Sequence, residues 1–303
     1  MKKILITGGA GFIGSAVIKH FQQSDYEISV IDNLSFGNRS FINIPDGHFY
    51  KMDILEREKV FEVMATVNPE MVLHLAAIHF IPYCNQHPYE SSTINIQGTM
   101  NVLDAAAMVK PRQVFFASTA AVYPIYDAAV TEKHATGPMD IYGLSKLAGE
   151  RLCNEFFLRT GITTIICRFF NAFGPNETNP HLIPEIQQQV NAGMRKIKLG
   201  NLTPKRDFIH TYDMAAAVET LLDKMKSGID VYNLGRGIEY SVTEIVDAFS
   251  KQVGEKIEIE VEQARVRKVE RMHLLANVDK LKSLGWEPKI SIDEGIKTLV
   301  NLK

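Results

Sequence analysis

The chain has 303 residues, 46% of them hydrophobic, enough for one large core and a smaller lobe. Its 33 basic and 35 acidic residues nearly cancel, which excludes an electrostatic nucleic-acid binder. Three scattered cysteines, Cys84, Cys153 and Cys167, exclude a disulfide framework and predict reduced thiols in a cytoplasmic protein.

The apolar stretch after Met1-Lys2-Lys3 stops at once in Thr7-Gly8-Gly9, unlike a signal peptide. No uncharged apolar run approaches the ~20 residues of a membrane helix, so no membrane partner is expected. In chain order, Ile4-Leu5-Ile6, residues 28–31, a short piece around 48–50, then 71–75, 114–117 and 163–167 read as buried strands. Helical patterns near 12–23, 56–66, 91–109 and 141–159 separate them. Continuous apolar strands alternating with helices predict an α/β fold, a doubly wound parallel sheet of Rossmann type. After about residue 170 the pattern changes: 174–180 is loop-like, and helices follow near 183–193, 212–226, 242–252 and 292–302. Residues 1–172 are expected to bind a dinucleotide and 173–303 to form a smaller C-terminal α/β substrate lobe. The division is interleaved, because 229–234 is strand-like and could return to the main sheet.

Gly8, Gly11 and Gly14 follow the first strand and, with Phe12 and Ile13, open the first helix. Glycine lets backbone approach a pyrophosphate, and the helix start offers unpaired N–H groups. A tight turn without a ligand is the bland alternative. Asp32 ends the second strand, 18 residues after Gly14. A carboxylate there binds ribose hydroxyls and repels a 2′-phosphate, which favours NAD over NADP. Asp53, after the third short strand, is placed to meet the adenine edge, although a turn aspartate fits almost as well.

Tyr142 and Lys146 are four residues apart and share a helix face. The lysine charge is expected to lower the phenol pKa, so that the tyrosine can take a proton from a sugar hydroxyl while NAD takes hydride. Thr119 lies just past the strand 114–117, where ligands sit in doubly wound sheets, and can bond the same oxygen. Its alternative is a local turn bond.

These residues together resemble the extended short-chain dehydrogenase/reductase family, in its NAD-dependent nucleotide-sugar epimerase/dehydratase branch. The resemblance runs nearly end to end. Further matches are Asp32-Asn33-Leu34, His74-Leu75-Ala76-Ala77, Asn95 with Gly98-Thr99, Arg168-Phe169-Phe170-Asn171, Arg206-Asp207-Phe208 with Asp213, Tyr232-Asn233-Leu234-Gly235, Arg267 with Glu270, and Leu284-Gly285-Trp286. It implies that Asn33, Ile54, Leu75, Ala76, Ala77 and Asn95 join the cofactor site. It also implies that Asn171, Arg206 and Arg267 hold a nucleoside diphosphate, a task suited to planar, always-ionised guanidinium groups. A homodimer through helices 91–109 and 141–159 is implied as well.

Departures narrow the chemistry. Where 4,6-dehydratases carry Asp-Glu after the threonine, this chain has Ala120-Ala121, which transfer no proton. The expected reaction is epimerisation of the nucleotide sugar, at C4 through a 4-keto intermediate. A net dehydrogenase or reductase needs the same residues, and a non-catalytic NAD sensor would need neither Tyr142 nor Lys146. The segment 78–88 is unusually aromatic and reads as a loop near the sugar. The segment reads first as a packed aromatic loop; otherwise His79, Tyr83 or His87 contacts the sugar or acts as an additional acid or base, with His79 the candidate for substrate binding. The spacing of His79, Cys84 and His87 fits no common metal site, so no metal is expected.

Overall fold

A computed structural model describes residues 1–263 and 271–300. The first half alternates β1 (Lys2–Thr7), α1 (Phe12–Phe21), β2 (Tyr26–Asp32), β3 (Phe49–Lys51), α2 (Arg57–Val67) and β4 (Met71–His74). It continues with α3 (Ile81–Gln86), α4 (Pro88–Ser92), a π-helical stretch over Thr93–Gly98, α5 (Thr99–Val109), β5 (Gln113–Thr119), α6 (Ile141–Thr160) and β6 (Thr163–Phe169). The second half contains β7 (Asn171–Phe173), α7 (Leu182–Asn191), β8 (Lys196–Leu199), β9 (Lys205–His210), α8 (Thr211–Lys224) and β10 (Ile229–Leu234). It closes with β11 (Glu239–Ser241), α9 (Val242–Val253), β12 (Glu258–Val261), α10 (Asp279–Lys282) and α11 (Ile292–Lys297).

Seven strands form one parallel sheet in the order β10-β6-β5-β4-β1-β2-β3. This is the doubly wound sheet that the strand–helix alternation predicts. Chain order reverses between β1 and β4, which opens a crevice beyond their carboxyl ends. Both faces are covered. Ile4, Ile6, Val30 and Leu73 face one apolar cluster with α1 and α8, and Leu5, Val72, Val114 and Phe116 face the other with α2, α5 and α6. A third apolar cluster, containing Phe173, Ile186, Phe208, Val246 and Phe249, fills the second half beneath the small β11-β9-β7 sheet. The strand-like piece 229–234 is β10, and it pairs in parallel with β6.

Two stretches differ from the sequence reading. The segment 78–88 contains α3, and α4 begins at Pro88, so helix precedes the expected start at 91. Pro82 and Pro88 stand in the first turns of these helices, where the missing N–H is no loss. The final helix ends at Lys297, short of the expected 302.

Candidate active site

The crevice is a cleft of about 1120 Å³. Gly8, Gly11, Phe12, Ile13 and Gly14 line it, with Asp32, Asn33, Asp53, Ile54, Leu75, Ala76 and Ala77. Thr119, Tyr142, Lys146, Asn171, Arg206 and His79 line it as well. Residues far apart in sequence thus share one cavity. Arg267, and Glu270 with it, lie outside the described residues.

Each glycine of the turn has its own reason. Gly8 has φ +74, and a Cβ on it would meet the Ala76 amide nitrogen at 2.6 Å. A Cβ on Gly14 would overlap the Gly8 carbonyl oxygen. These two are demanded by the fold itself. At Gly11 a Cβ would meet only the Gly8 oxygen, at 3.3 Å. Gly11 is also the N-cap of α1, and no side chain caps the orphan N–H groups there. An uncapped helix start in a glycine cradle suits a pyrophosphate, so the turn fits a dinucleotide and not merely a tight connection.

Asp32 is buried, and its two oxygens accept the Ala10 N–H at 2.9 Å and the Leu34 N–H at 2.8 Å. It therefore ties the glycine turn to the end of β2. Each oxygen keeps a second lone pair for a ribose hydroxyl. Burial raises its carboxyl above the usual range, and the two backbone bonds oppose that shift. Asn33 donates to Asp53 at 2.7 Å, which joins the end of β2 to the loop after β3. Ser35, Phe36 and Gly37 line the cleft here too, and they carried no motif in the sequence.

Asn95 takes a different part from the expected cofactor contact. It is buried and absent from the cleft lining. Its oxygen accepts the Ile78 N–H, and its amide donates to the Ile78 carbonyl and the Ser145 hydroxyl. With both ends engaged, it fixes α6 against the strand end after β4.

The helix α6 starts at the Asp140 N-cap, whose side chain accepts the Gly143 N–H at 2.7 Å. Gly143 lets the helix lie against the turn after β5: a Cβ would overlap the Ala121 carbonyl oxygen and come within 2.9 Å of its carbon. This approach brings Tyr142 into the same cleft as Thr119, which works to lower the phenol pKa. Burial nevertheless dominates and pushes the Tyr142 phenol up. Lys146 is not among the groups that shift it, so the expected depression by the lysine is not found in the protein alone. Lys146 is itself buried, lies 4.1 Å over the Phe116 ring and is pushed down to about 8. Beneath it, His74 bridges the hydroxyls of Thr7 and Thr99 at 2.7 and 2.9 Å. Burial, then Lys146, holds His74 down at about 3, so it is a neutral strut.

On the opposite wall, Arg206 has a companion that the motifs did not single out. Arg271 lines the same cleft, donates to the Tyr123 carbonyl at 2.9 Å and is lowered by burial and by Arg206. Two mutually repelling guanidinium groups in one cavity suit a diphosphate. In the segment 78–88, His79 faces the cleft, Cys84 points into the core, and His87 packs on Tyr83 with ring centroids 4.3 Å apart. Burial, then His181, then Lys146, holds His79 down at about 4.

A model of the NAD dependent epimerase/dehydratase family matches residues 4–235. The chain belongs to that family. NAD is its cofactor, in keeping with the glycine cradle and Asp32. The UDP-glucose 4-epimerase of Bacillus subtilis is 31% identical over 96% of this chain and 94% of its own length. Among solved structures, the UDP-glucose 4-epimerase of Thermus thermophilus in complex with NAD superposes with a TM-score of 0.88. It shares 26% identity and covers 98% of this chain and 97% of its own. The Thermotoga maritima enzyme with UDP-glucose gives the same TM-score at 27% identity, with coverage of 98% and 97%. In this family member the glycine turn and the Thr119–Tyr142–Lys146 group share one cleft.

Proposed function

We propose that the chain is an NAD-dependent epimerase of a nucleoside-diphosphate sugar, acting at C4 through a transient 4-keto sugar. The observation that carries this reading is the meeting of Thr119, Tyr142 and Lys146 in a cleft that also holds the glycine turn, Arg206 and Arg271. The similarity to UDP-glucose 4-epimerases supports it.

When bound, NAD would supply the hydride acceptor and a positive ring that favours the Tyr142 phenolate. Gly8, Gly11, Gly14 and Asp32 hold it. Tyr142 takes the proton of the sugar C4 hydroxyl, and Thr119 shares that oxygen. Asn171, Arg206 and Arg271 hold the diphosphate while the 4-keto sugar turns its opposite face toward the hydride carrier, and Tyr142 then returns its proton to the C4 oxygen. Ala120 and Ala121 line the cleft and offer no proton for elimination of water. Residues 1–172 would then carry the cofactor site together with Thr119, Tyr142 and Asn171, and residues from 173 onward would supply Arg206 and Arg271.

The test supplies UDP-, GDP-, CDP- and dTDP-sugars and follows sugar stereochemistry by NMR together with NADH absorbance. Interconversion of C4 epimers without net NADH is expected. Stoichiometric NADH with no epimer would replace this reading with a dehydrogenase.

The chain is further proposed to form a homodimer through 91–109 and 141–159. Met100 and Met108 on α5, and Leu144 and Leu158 on α6, leave large apolar side chains exposed along these helices. A monomer by light scattering rejects the dimer. A cytoplasmic location is supported by three free, buried cysteines, and no described helix is long and apolar enough to cross a membrane.

A further inference from the structure

We propose that His79, Glu177 and His181 form a binding site for a divalent transition-metal ion of the zinc class on the wall of the cleft. One imidazole nitrogen from each histidine and a carboxylate oxygen of Glu177 all lie within 4.8 Å of one another. The three come from different parts of the chain. His79 follows β4, whereas Glu177 and His181 lie between β7 and α7. All three line the cleft and are partly buried.

Asn179 shows where their lone pairs point. Its side-chain nitrogen lies 3.2 Å from His79 Nε2 and 3.3 Å from Glu177 Oε1. An amide NH₂ can only donate, so both partners present acceptors toward one small region. A bound cation makes the same demand. His79 Nε2 is therefore unprotonated, the form that ligates a metal. The two imidazole rings lie near parallel, 28° apart with centroids at 5.9 Å. Phe80 packs edge-on against His181 at 5.2 Å and limits its swing.

Two histidines and one carboxylate are the ligand set of zinc sites that keep an open position, and the same set serves other first-row metals. Ligand bonds of about 2.0–2.2 Å require the three donor atoms to close to roughly 3.0–3.6 Å of one another. Since no separation exceeds 4.8 Å, that is a movement of at most about 1–2 Å, within the reach of side-chain rotation. Asn179 would swing aside and become a partner of the ligands. The open position would face the cleft, where a water or a substrate oxygen completes the shell. The site needs neither Cys84 nor His87, which explains why local spacing in the sequence did not show it.

The test uses the full chain stripped with a chelator. Zinc sulfate is titrated by calorimetry, and cobalt(II) is added while visible d–d absorption is recorded. One ion per chain is expected, with cobalt bands of nitrogen–oxygen coordination. Glu177→Gln and His181→Asn should each weaken binding by at least about tenfold, since even outer partners of metal sites matter by 10–100-fold. Thermal melts establish that both variants fold. Absence of saturable binding overturns the proposal. So does binding that both folded variants retain, because surface pairs such as His20–Glu219 and His273–Glu239 would then hold the ion. Neither readout requires a sugar substrate, so the outcome is separate from that of the epimerase assay.

Discussion

Gly143→Ala tests whether the approach of α6 to the turn after β5 sets catalytic geometry. The new Cβ would overlap the Ala121 carbonyl oxygen and lie 2.9 Å from its carbon and 3.0 Å from the Pro138 Cβ. Carbon atoms rest at about 3.5–4.0 Å, so helix and turn must part by roughly 0.6 Å. Tyr142 is the preceding residue and Thr119 lies two residues before Ala121. Their separation should grow by a similar amount. A misplacement of about 1 Å costs on the order of 100-fold in rate, so kcat should fall roughly 10- to 100-fold. Stability should change little. Overpacking costs about 1–3 kcal/mol, while alanine in place of a helical glycine contributes about 1 kcal/mol in the other direction. NAD retention should persist, because the glycine turn at residues 8–14 belongs to a different element. Gly47→Ala is the control, since a Cβ there meets nothing within 4 Å. The assay compares kcat, KM, melting temperature and bound NAD for the three proteins. A folded Gly143→Ala protein with kcat within about twofold of the parent would refute the reasoning, because so small a loss is incompatible with the displacement.

Tyr142→Phe should lower kcat by about 10²- to 10⁴-fold with NAD still bound, measured by epimer formation; unchanged turnover removes Tyr142 as the base. Arg206→Ala and Arg271→Ala should each raise KM far more than they lower kcat if both grip the diphosphate, and equal loss in kcat and kcat/KM speaks against that role. Glu150→Gln should destabilise the fold by about 3–5 kcal/mol in urea unfolding. Arg168, buried to 5% exposure, now forms charge-assisted bonds to Glu150 at 2.7 and 2.8 Å, and Ser118 donates to the same carboxylate. His74 makes stability pH-dependent. Its folded pKa of about 3 lies below the usual 6.5. The unfolded chain therefore binds more protons in that window, and stability falls as pH drops below 6.5. His74→Gln should flatten the slope between about pH 6 and 4 by up to about 1.4 kcal/mol per pH unit, and an unchanged slope contradicts a neutral buried His74.

The central sheet was legible because parallel strands buried on both faces are runs of apolar residues, as in Ile4-Leu5-Ile6 and Val114-Phe115-Phe116. The glycine turn and the Tyr142–Lys146 pair were legible because their chemistry depends on local spacing. What escaped depends on long-range packing. α3 and α4 were hidden behind Pro82 and Pro88, which are easily read as breakers when they stand in a first helical turn. Asn95 stands at a motif position but supports the backbone at Ile78 instead of facing the cleft. The electrostatics of Tyr142 could not be read from spacing, because desolvation outweighs neighbouring charge once the phenol is buried. The joining of His79 with Glu177 and His181 has no local signature, since about a hundred residues separate them.

β10 comes from the second half of the chain yet completes the edge of the first half's sheet. It pairs along its whole length with β6 and shares the apolar cluster that contains α1 and β1. Soon after β6 ends, the backbone leaves for the other side of the cleft, where β7 joins the small sheet. Later it returns to be hydrogen-bonded into the same large sheet. The two walls of the cleft are therefore laced to a common frame, like a shoe threaded through both flaps. Relative motion of the walls would have to bend these crossings, since β10 itself stays paired with β6. A cleft threaded this way ties the wall that bears Arg206 to the sheet that carries the glycine turn.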